Sequence, residues 1–364
     1  MTFALQIEPP TPGARAPARP LLGLTTALRL ALTAQAAGAQ AIVATGEVAS
    51  GLRDERLRIP VVEARPSGVS LVRVPANLVI HRGLIAAGVA ARGERDWSLL
   101  DEPFAFAPPF GFDPILVESE ADHARARRAL LSSLRKPQDG WTSTYLNRHI
   151  SLFFTRFLVA TPLRPNQVSV VILAIGIAGA WIATRGDYWS LLLGAFLFQA
   201  QSVLDGCDGE MSRLTFRGSL MGEWLDTVGD DLTNYGFFAG ASWGLYRTTG
   251  SLLYLVAGAV TVGCGLLSSG LEYRYLISIG SGDLLKYPIG VGKAPGGDEN
   301  KGPLGRFLDS ISPLFKRDTF VFLTLVGAAL GALQVMIVLF ALGAIGIVIA
   351  VVKAEMRMAR AKRR

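Results

Sequence analysis

Four aspartates stand in two closely spaced pairs within the most apolar part of the sequence. Asp205 and Asp208 are three residues apart and Asp226 and Asp230 are four apart, so on helices the members of each pair share a face. A short link around Arg217 joins the two segments and lets antiparallel helices bring the carboxylates together. Carboxylates at such range repel one another, and a divalent cation removes that repulsion. Because all-oxygen ligands favour a hard ion such as Mg²⁺ or Mn²⁺, the spacing predicts a metal site.

Small and cationic residues accompany these acids. Gly209 follows Asp208 and Gly222 lies one helical turn before Asp226, so a ligand has close access to the backbone at both places. The guanidinium of Arg213 is suited to bidentate pairing with a phosphate. Ionisable residues inside a membrane span are costly, which makes this set a functional candidate.

Other interpretations of the acids are a buried polar network, an ion or metal transporter, or a catalytically inactive membrane anchor. Transport predicts acids spread along the membrane normal and inverted repeats, whereas these acids bunch near one side. Retention of all four acids argues against an inactive anchor. The neighbouring Asp231 and Glu223 point off the proposed face and are interpreted as structural.

The spacing also resembles a family signature. The pattern D-x2-D-G-x2-A-R-x8-G-x3-D-x3-D of the CDP-alcohol phosphotransferases is similar to Asp205-x2-Asp208-Gly209-x2-Ser212-Arg213-x8-Gly222-x3-Asp226-x3-Asp230. Ser212, in place of alanine, is the one departure. The family's first span starts P-N-x-[VI]-[ST], which resembles Pro165-Asn166-Gln167-Val168-Ser169. The resemblance covers about residues 140–352.

This resemblance implies an activity and a role for each matched residue. The family moves the phosphoryl-alcohol part of a CDP-linked donor, such as CDP-diacylglycerol or a CDP-polyol, onto an alcohol acceptor and releases CMP. The acceptor hydroxyl loses its proton to Asp230 and attacks the β-phosphorus without a covalent enzyme intermediate. The implied ligands of a pair of Mg²⁺ or Mn²⁺ ions are Asp205, Asp208, Asp226 and Asp230. The implied CDP-binding residues are Gly209, Ser212, Arg213, Gly222 and Asn166. A homodimer is also expected from the family.

Three cations are candidates for holding an acceptor phosphate. They are Arg217 in the short link, and Lys316 and Arg317 at the start of the fifth predicted span. This basic set resembles the inositol-phosphate branch of the family, so a polyol phosphate is a candidate acceptor. The ordinary excess of positive charge in cytoplasmic loops explains the same residues, and both interpretations stay open.

Composition limits the function classes. The 364 residues are 50% hydrophobic and 18% charged, which excludes a disordered chain. Two cysteines and three dispersed histidines do not form a disulfide framework or a common zinc motif. The net charge of +7 suits either nucleic acid or an anionic membrane surface. Because the basic patches do not interleave with aromatic residues, no nucleic-acid partner is expected.

Beyond Pro165 the apolar runs reach the length of about 20 residues that crosses a bilayer. The six predicted spans are Asn166–Thr184, Tyr188–Arg213, Gly222–Tyr246, Ser251–Glu272, Thr319–Leu333 and Gln334–Val352. The short fifth span is expected to form a tight hairpin with the sixth at Gly331.

The membrane orientation follows from charge. On one side the predicted loops hold only Arg185 and Arg247, so the positive-inside rule places both termini in the cytoplasm, in the inner membrane. Met1–Pro20 is proline-rich and lacks the apolar run of a cleavable signal peptide.

The sequence therefore predicts an α-helical polytopic membrane protein with six transmembrane helices, an interfacial amphipathic helix and a small N-terminal α/β soluble domain. The predicted limits are 1–136 for the soluble domain, 137–160 for the linker and interfacial helix, and 161–364 for the membrane domain. Apolar residues of Trp141–Ala160 recur at helical spacing, which indicates a helix lying in the membrane interface. A soluble helix packed on the first domain is the alternative.

In residues 1–136 short apolar runs alternate with helical stretches, which favours an α/β layer fold. The run Pro20-Leu-Leu-Gly-Leu-Thr-Thr-Ala-Leu-Arg and the later Ala37-Gly38-Ala39-Gln-Ala-Ile-Val resemble the start of sugar-nucleotide transferases. The expected glycine-rich phosphate loop is replaced by the proline-rich 9–19, and Asn77 stands near an expected metal-binding aspartate. We therefore expect a degenerate nucleotidyltransferase-like domain that serves folding, docking or regulation.

Overall fold

The computed structural model describes residues 2–12, 20–93, 95–99, 111–135, 142–288 and 317–361. These residues separate into two compact units. The N-terminal unit contains the described residues up to 135 together with Arg156–Pro162 and Glu210–Arg217, and the membrane unit contains the others. A small α/β layer followed by long apolar helices is the predicted fold class, which is thus confirmed.

The N-terminal unit is built on a parallel sheet of five strands in the order β3-β2-β1-β4-β6. A separate antiparallel pair is formed by β5 and β7. The strands are β1 Phe3–Glu8, β2 Ala41–Val43, β3 Val61–Val62, β4 Ser70–Pro75, β5 Leu78–Val79, β6 Trp97–Ser98 and β7 Ile115–Leu116. The helices are α1 Thr26–Ala36, α2 Gly46–Ser50, α3 Arg82–Arg92 and α4 Glu120–Ser132.

The central strands read as nearly continuous apolar runs because both faces of a parallel sheet are covered. Leu5, Ile42 and Val72 on neighbouring strands are fully buried, and α1 contributes Leu30 and Leu32 to the same core. The strand and helix alternation expected from the sequence is confirmed. The elements β5, β6, β7 and α2 were not predicted, since they are only two to five residues long.

A helical segment precedes the first long apolar helix. A short π-helical turn, Ser143–Asn147, continues into α5, Arg148–Leu158. The polar side chains of Ser151 and Thr155 are buried, whereas Phe153, Phe154 and Phe157 are 43–55% exposed. A soluble helix would bury its apolar face, so this inverted pattern fits the predicted interfacial helix.

The apolar region continues as α6 Pro165–Ala183, α7 Tyr188–Leu204, α8 Gly206–Thr215, α9 Leu220–Thr249, α10 Leu252–Ser278, α11 Arg317–Ala329 and α12 Leu333–Ala361. Four segments are long and apolar enough to cross a bilayer: α6, α7 continued by α8, α10 and α12. Helix α9 has the length but carries several acids, and α11 has only 13 residues. Each predicted span corresponds to one of these segments. The expected hairpin between α11 and α12 is confirmed, with Gly331 in its turn at φ +68°.

Glycines let the helices of the membrane unit approach closely. A Cβ atom on Gly179 of α6 would lie 2.9 Å from the Gly194 carbonyl oxygen of α7. Beyond this crossing, Phe198 of α7 stacks on Phe237 of α9 with ring centroids 4.6 Å apart. Because α6 packs against both α7 and α9, the two acid-bearing segments are held at fixed positions around it.

Candidate active site

The predicted aspartates of the second span lie where one helix passes into the next. Asp205 directly follows α7, and its backbone angles, φ −52° and ψ −33°, are helical. The helical angles at the junction of α7 and α8 therefore keep Asp205 and Asp208 on one face, as their spacing predicts. Asp226 and Asp230 lie within the continuous helix α9.

Three of the four carboxylates border one cavity. The cavity is lined by Ser169, Ile172, Leu173, Gln201, Asp205, Asp208, Leu225, Asp226 and Gly229. Its walls come from α6, α7, α8 and α9. Gly229, one turn after Asp226, adds no side chain to the wall, and a Cβ atom there would lie 3.8 Å from Leu173 Cδ1.

Asp230 lies one turn beyond Asp226 and contacts a cation from a distant part of the chain. Nη2 of Arg317, the first residue of α11, is 2.9 Å from Asp230 Oδ1. Nη1 of Arg317 is 3.5 Å from Asp205 Oδ2. The same guanidinium donates to Gln201 Oε1 at 2.8 Å and to Asn234 Oδ1 at 3.3 Å. Arg317 thus joins the acids of α7 and α9.

Asp208 is fixed from the opposite side. Its carboxylate accepts a hydrogen bond from the Ser169 hydroxyl, and both residues are buried. Ser169 is the last residue of the Pro165–Ser169 motif, and the resemblance implied no role for it. Gln201 and Asn234 were likewise missed. Only the position of Gln201, one turn before Asp205 on the same apolar segment, offered a signal.

The donor chemistry of the cavity fits a hard divalent cation. Its polar walls present carboxylate, amide and hydroxyl oxygens, the ligands that Mg²⁺ and Mn²⁺ prefer. Within the described ranges, no group of three or more Asp, Glu, His or Cys side chains is arranged as a finished metal site. Arg317 supplies positive charge to Asp205 and Asp230 in this arrangement.

Comparison with known proteins identifies this region. The family model described as CDP-alcohol phosphatidyltransferase matches residues 163–280, which include all four aspartates. Residues 163–280 form a CDP-alcohol phosphatidyltransferase domain. With its several candidate spans, the chain is a multi-pass membrane protein.

The chain is also similar to curated relatives. It is 34% identical over 124 residues to the "Bifunctional IPC transferase and DIPP synthase" of Aquifex aeolicus, covering 34% of this chain and 28% of the relative. The protein of the same description from Archaeoglobus fulgidus is 31% identical over 147 residues, covering 40% of this chain and 29% of the relative. The chain therefore matches less than a third of the length of either.

A solved structure is also similar, at 19% identity and a TM-score of 0.42. It is a Mycobacterium tuberculosis phosphatidylinositol phosphate synthase with CDP-DAG bound, and the match covers 57% of this chain and 93% of that one.

Two predicted CDP-binding residues meet at the start of the CDP-alcohol phosphatidyltransferase domain. A Cβ atom on Gly222 would lie 3.0 Å from Asn166 Oδ1, so the first turn of α9 rests against the first turn of α6. The hydroxyl of Ser219 caps α9 by accepting from the Gly222 amide at 3.0 Å. Gly209 follows Asp208 in the membrane unit.

The other predicted binding residues are not in the membrane unit or are not described. Ser212, Arg213 and Arg217 belong to the N-terminal unit, and Lys316 lies outside the described residues. Hydrogen bonding from Arg56 is the main cause that lowers the pKa of Asp54, and the positive charge of Arg217 adds to it. Arg317 contacts the carboxylate of Asp230 directly. The sequence indicated Arg317 only as a candidate for holding an acceptor phosphate.

The remaining acids of α9 make structural contacts with α10 and with the residues that follow it. The Asp231 carboxylate accepts from Ser269 at 2.5 Å and from Tyr273 at 2.7 Å, both on α10. Glu223 accepts from the Gly282 amide at 3.0 Å. These contacts agree with the structural roles expected for Asp231 and Glu223.

Proposed function

We propose that the protein is a membrane transferase of substituted phosphate groups. It moves the phosphoryl-alcohol part of a CDP-linked donor, CDP-diacylglycerol or a CDP-polyol, onto the hydroxyl of an alcohol or polyol-phosphate acceptor and releases CMP. The observation that supports this most is the convergence of Asp205, Asp208 and Asp226 on one cavity inside the matched domain.

In the proposed mechanism Asp230 has two roles and each of the other residues has one. Asp205, Asp208, Asp226 and Asp230 hold divalent ions, Mg²⁺ or Mn²⁺, which when bound supply charge stabilisation to the pyrophosphate and to the departing CMP. Asp230 accepts the proton of the acceptor hydroxyl, whose oxygen then forms a bond to the β-phosphorus while the bond to CMP breaks. The Ser169 hydroxyl holds the Asp208 carboxylate in place.

The acceptor proposal concerns Arg317. Its guanidinium borders the carboxylates, so a phosphorylated acceptor that pairs with Arg317 would bring its hydroxyl towards Asp230. An inositol phosphate is the candidate class. Arg217 and Lys316 complete the proposed basic set.

The proposed arrangement in the cell places both termini on the cytoplasmic side of the inner membrane. Lipids are the proposed partners of exposed apolar side chains such as Val171, Leu266 and Leu342. A homodimer is proposed from the family resemblance, and its mass in lipid nanodiscs tests it. The domain limits 1–136, 137–160 and 161–364 stay proposals, as does the loss of nucleotidyl transfer by the first of them.

Hydrogen bonds between the loop after β1 and the loop after β4 support the proposal that residues 1–136 have lost nucleotidyl transfer. The Asn77 side chain donates to the Thr11 hydroxyl at 3.0 Å and accepts from the Thr11 amide at 3.3 Å. Thus the position where a metal-binding acid is expected holds Asn77, whose amide is already hydrogen-bonded to Thr11. CTP-dependent release of pyrophosphate by the full chain would overturn this part of the proposal.

The experiment that tests the function is CMP release by the purified chain in lipid, with Mg²⁺ or Mn²⁺, across pairs of CDP donors and alcohol acceptors. We expect release with at least one pair and loss of about two orders of magnitude or more in Asp226→Asn and Asp230→Asn. Asp122→Asn, on α4 of the N-terminal unit, is the matched control and should behave as wild type. Equal rates in all four proteins would contradict the mechanism.

A further inference from the structure

Two arginines from the N-terminal part of the chain hold the C-terminal end of α8. Leu214 and Thr215, the last residues of that helix, belong to the N-terminal unit. Nη1 of Arg29 donates to the Leu214 carbonyl oxygen and Nη1 of Arg56 donates to that of Thr215, each at 2.9 Å. The last carbonyls of a helix have no partner within it and carry the negative end of its dipole. The two guanidinium groups satisfy both needs.

Arg29 is deeply placed for this contact. Its side chain is only 3% exposed, and its Nη2 donates to the carbonyl oxygens of Leu21 and Leu22 at 2.8 and 3.1 Å. Burial, followed by the charge of Arg56, lowers the pKa of Arg29 to about 10, so the side chain remains charged at neutral pH. Arg29 therefore ties the turn before α1 to the end of α8.

Arg56 is oriented by a carboxylate. Its Nε and Nη2 donate to the two oxygens of Asp54 at 2.6 and 2.7 Å, a bidentate pair that leaves Nη1 directed at Thr215. Both side chains are largely buried. A fixed fork of this kind restrains the helix end more tightly than a flexible lysine would.

Apolar contacts anchor the same segment. Met211 and Leu214 are almost fully buried, and Phe216 packs against the core of the N-terminal unit. Phe216 has a φ of +54°, in the left-handed region that side chains other than glycine rarely adopt. Packing and hydrogen bonds together compensate this backbone conformation, and they fix where α8 ends.

Helix α8 is a ten-residue segment that begins next to Asp205, includes Asp208 and carries Arg213 in its last turn. A helix moves largely as a rigid body, so fixing its end at Leu214 and Thr215 also fixes the direction of Arg213. We propose that Arg29 and Arg56 are positioning residues for the CDP-linked donor, acting through α8 and Arg213. This inference rests on the proposed function.

The test uses the full chain and compares Arg56→Met and Arg29→Lys with Arg53→Met, an exposed arginine three positions from Arg56. We expect KM for the CDP donor to rise about tenfold or more in the first two, because small displacements of binding groups are costly. Values of kcat and of KM for the acceptor should stay close to wild type, and Arg53→Met should match wild type throughout. Hydrogen exchange at the amides of 210–217 should be faster in Arg56→Met and unchanged in Arg53→Met.

Two results would overturn the inference. One is an unchanged donor KM in folded Arg56→Met and Arg29→Lys. The other is a lower kcat together with higher KM values for both substrates and lower thermal stability, which is the result of a purely structural role. If the wild-type chain releases no CMP with any donor, the proposed function fails by itself. Equilibrium binding of CDP then decides: weaker binding in Arg56→Met than in Arg53→Met supports positioning, and equal or absent binding overturns it.

Discussion

The guanidinium of Arg317 lies 2.9 Å from the carboxylate of Asp230, the residue proposed to accept the proton of the acceptor. The same side chain reaches Asp205 and Gln201 on α7, so one cation links the two acid-bearing segments. Repulsion among the carboxylates is thereby reduced by a residue of the chain itself. A divalent ion held by these acids would compete for the same oxygens and would leave the guanidinium available to the proposed anionic acceptor.

Replacing Arg317 by methionine should affect stability in a metal-dependent way. Without divalent ions we expect the variant to lose about 1.5–3 kcal/mol, the usual worth of hydrogen bonds to charged groups. With saturating Mg²⁺ or Mn²⁺ the loss should be smaller, because the ions neutralise the same carboxylates. Thermal unfolding in detergent, with and without EDTA, measures both. Arg274→Met, which removes the ion pair of an exposed arginine with Glu355, is the control. An equal loss with and without divalent ions in Arg317→Met would refute the competition.

Ser169→Ala should weaken metal binding rather than the chemical step. The lost hydroxyl donates to Asp208, and partners that orient a metal ligand are typically worth 10–100-fold in affinity. We expect the half-saturating concentration of Mg²⁺ or Mn²⁺ for CMP release to rise by about that factor, with a smaller change in kcat at saturation. Ser268→Ala is the matched control, since its buried hydroxyl has no hydrogen-bond partner among the described residues. A shift of equal size in both variants would argue against a specific role for Ser169.

Local spacing explains which parts of this architecture the sequence predicts. The aspartate pairs follow from positions three and four apart on a helix, and the apolar runs are long enough to reveal the spans. Arg317 is 112 positions from Asp205, and Arg29 is 185 positions from Leu214. Contacts at such separations depend on how helices pack, which no local pattern records. For the same reason the sequence indicated charge at Arg317 but not its contact with the acids, and it gave no sign that α8 ends among arginines.

The crossing of α6 and α7 should be sensitive to a single methyl group. A Cβ at Gly179 would come within 2.9 Å of the Gly194 carbonyl and 3.0 Å of Leu197 Cβ, so Gly179→Ala must separate the two helices. Overpacking of this kind costs about 1–3 kcal/mol. Gly263→Ala on α10 is the matched control, since an added Cβ there meets nothing within 4 Å. We expect thermal unfolding in detergent to shift down for Gly179→Ala only, with a parallel loss of CMP release because α6 carries Ser169.

Acid should loosen the N-terminal unit at α3 through His81. The Nδ1 atom of His81 caps this helix by accepting from the Gly83 amide at 3.2 Å, which requires the neutral ring. Burial, and then the charge of Arg82, lowers the pKa of His81 below its ordinary value of 6.5. The unfolded chain therefore binds the proton first, so stability is complete above pH 6.5 and falls as the pH drops from there through the folded-state pKa.

Hydrogen exchange of the α3 amides between pH 7 and 5, corrected for the intrinsic pH dependence of exchange, should show this loss of protection. His81→Asn keeps a capping oxygen without a proton to gain, so it should remove that part of the pH dependence, whereas His149→Asn on exposed α5 should leave it intact. An unaltered pH profile in His81→Asn would show that another group causes the effect.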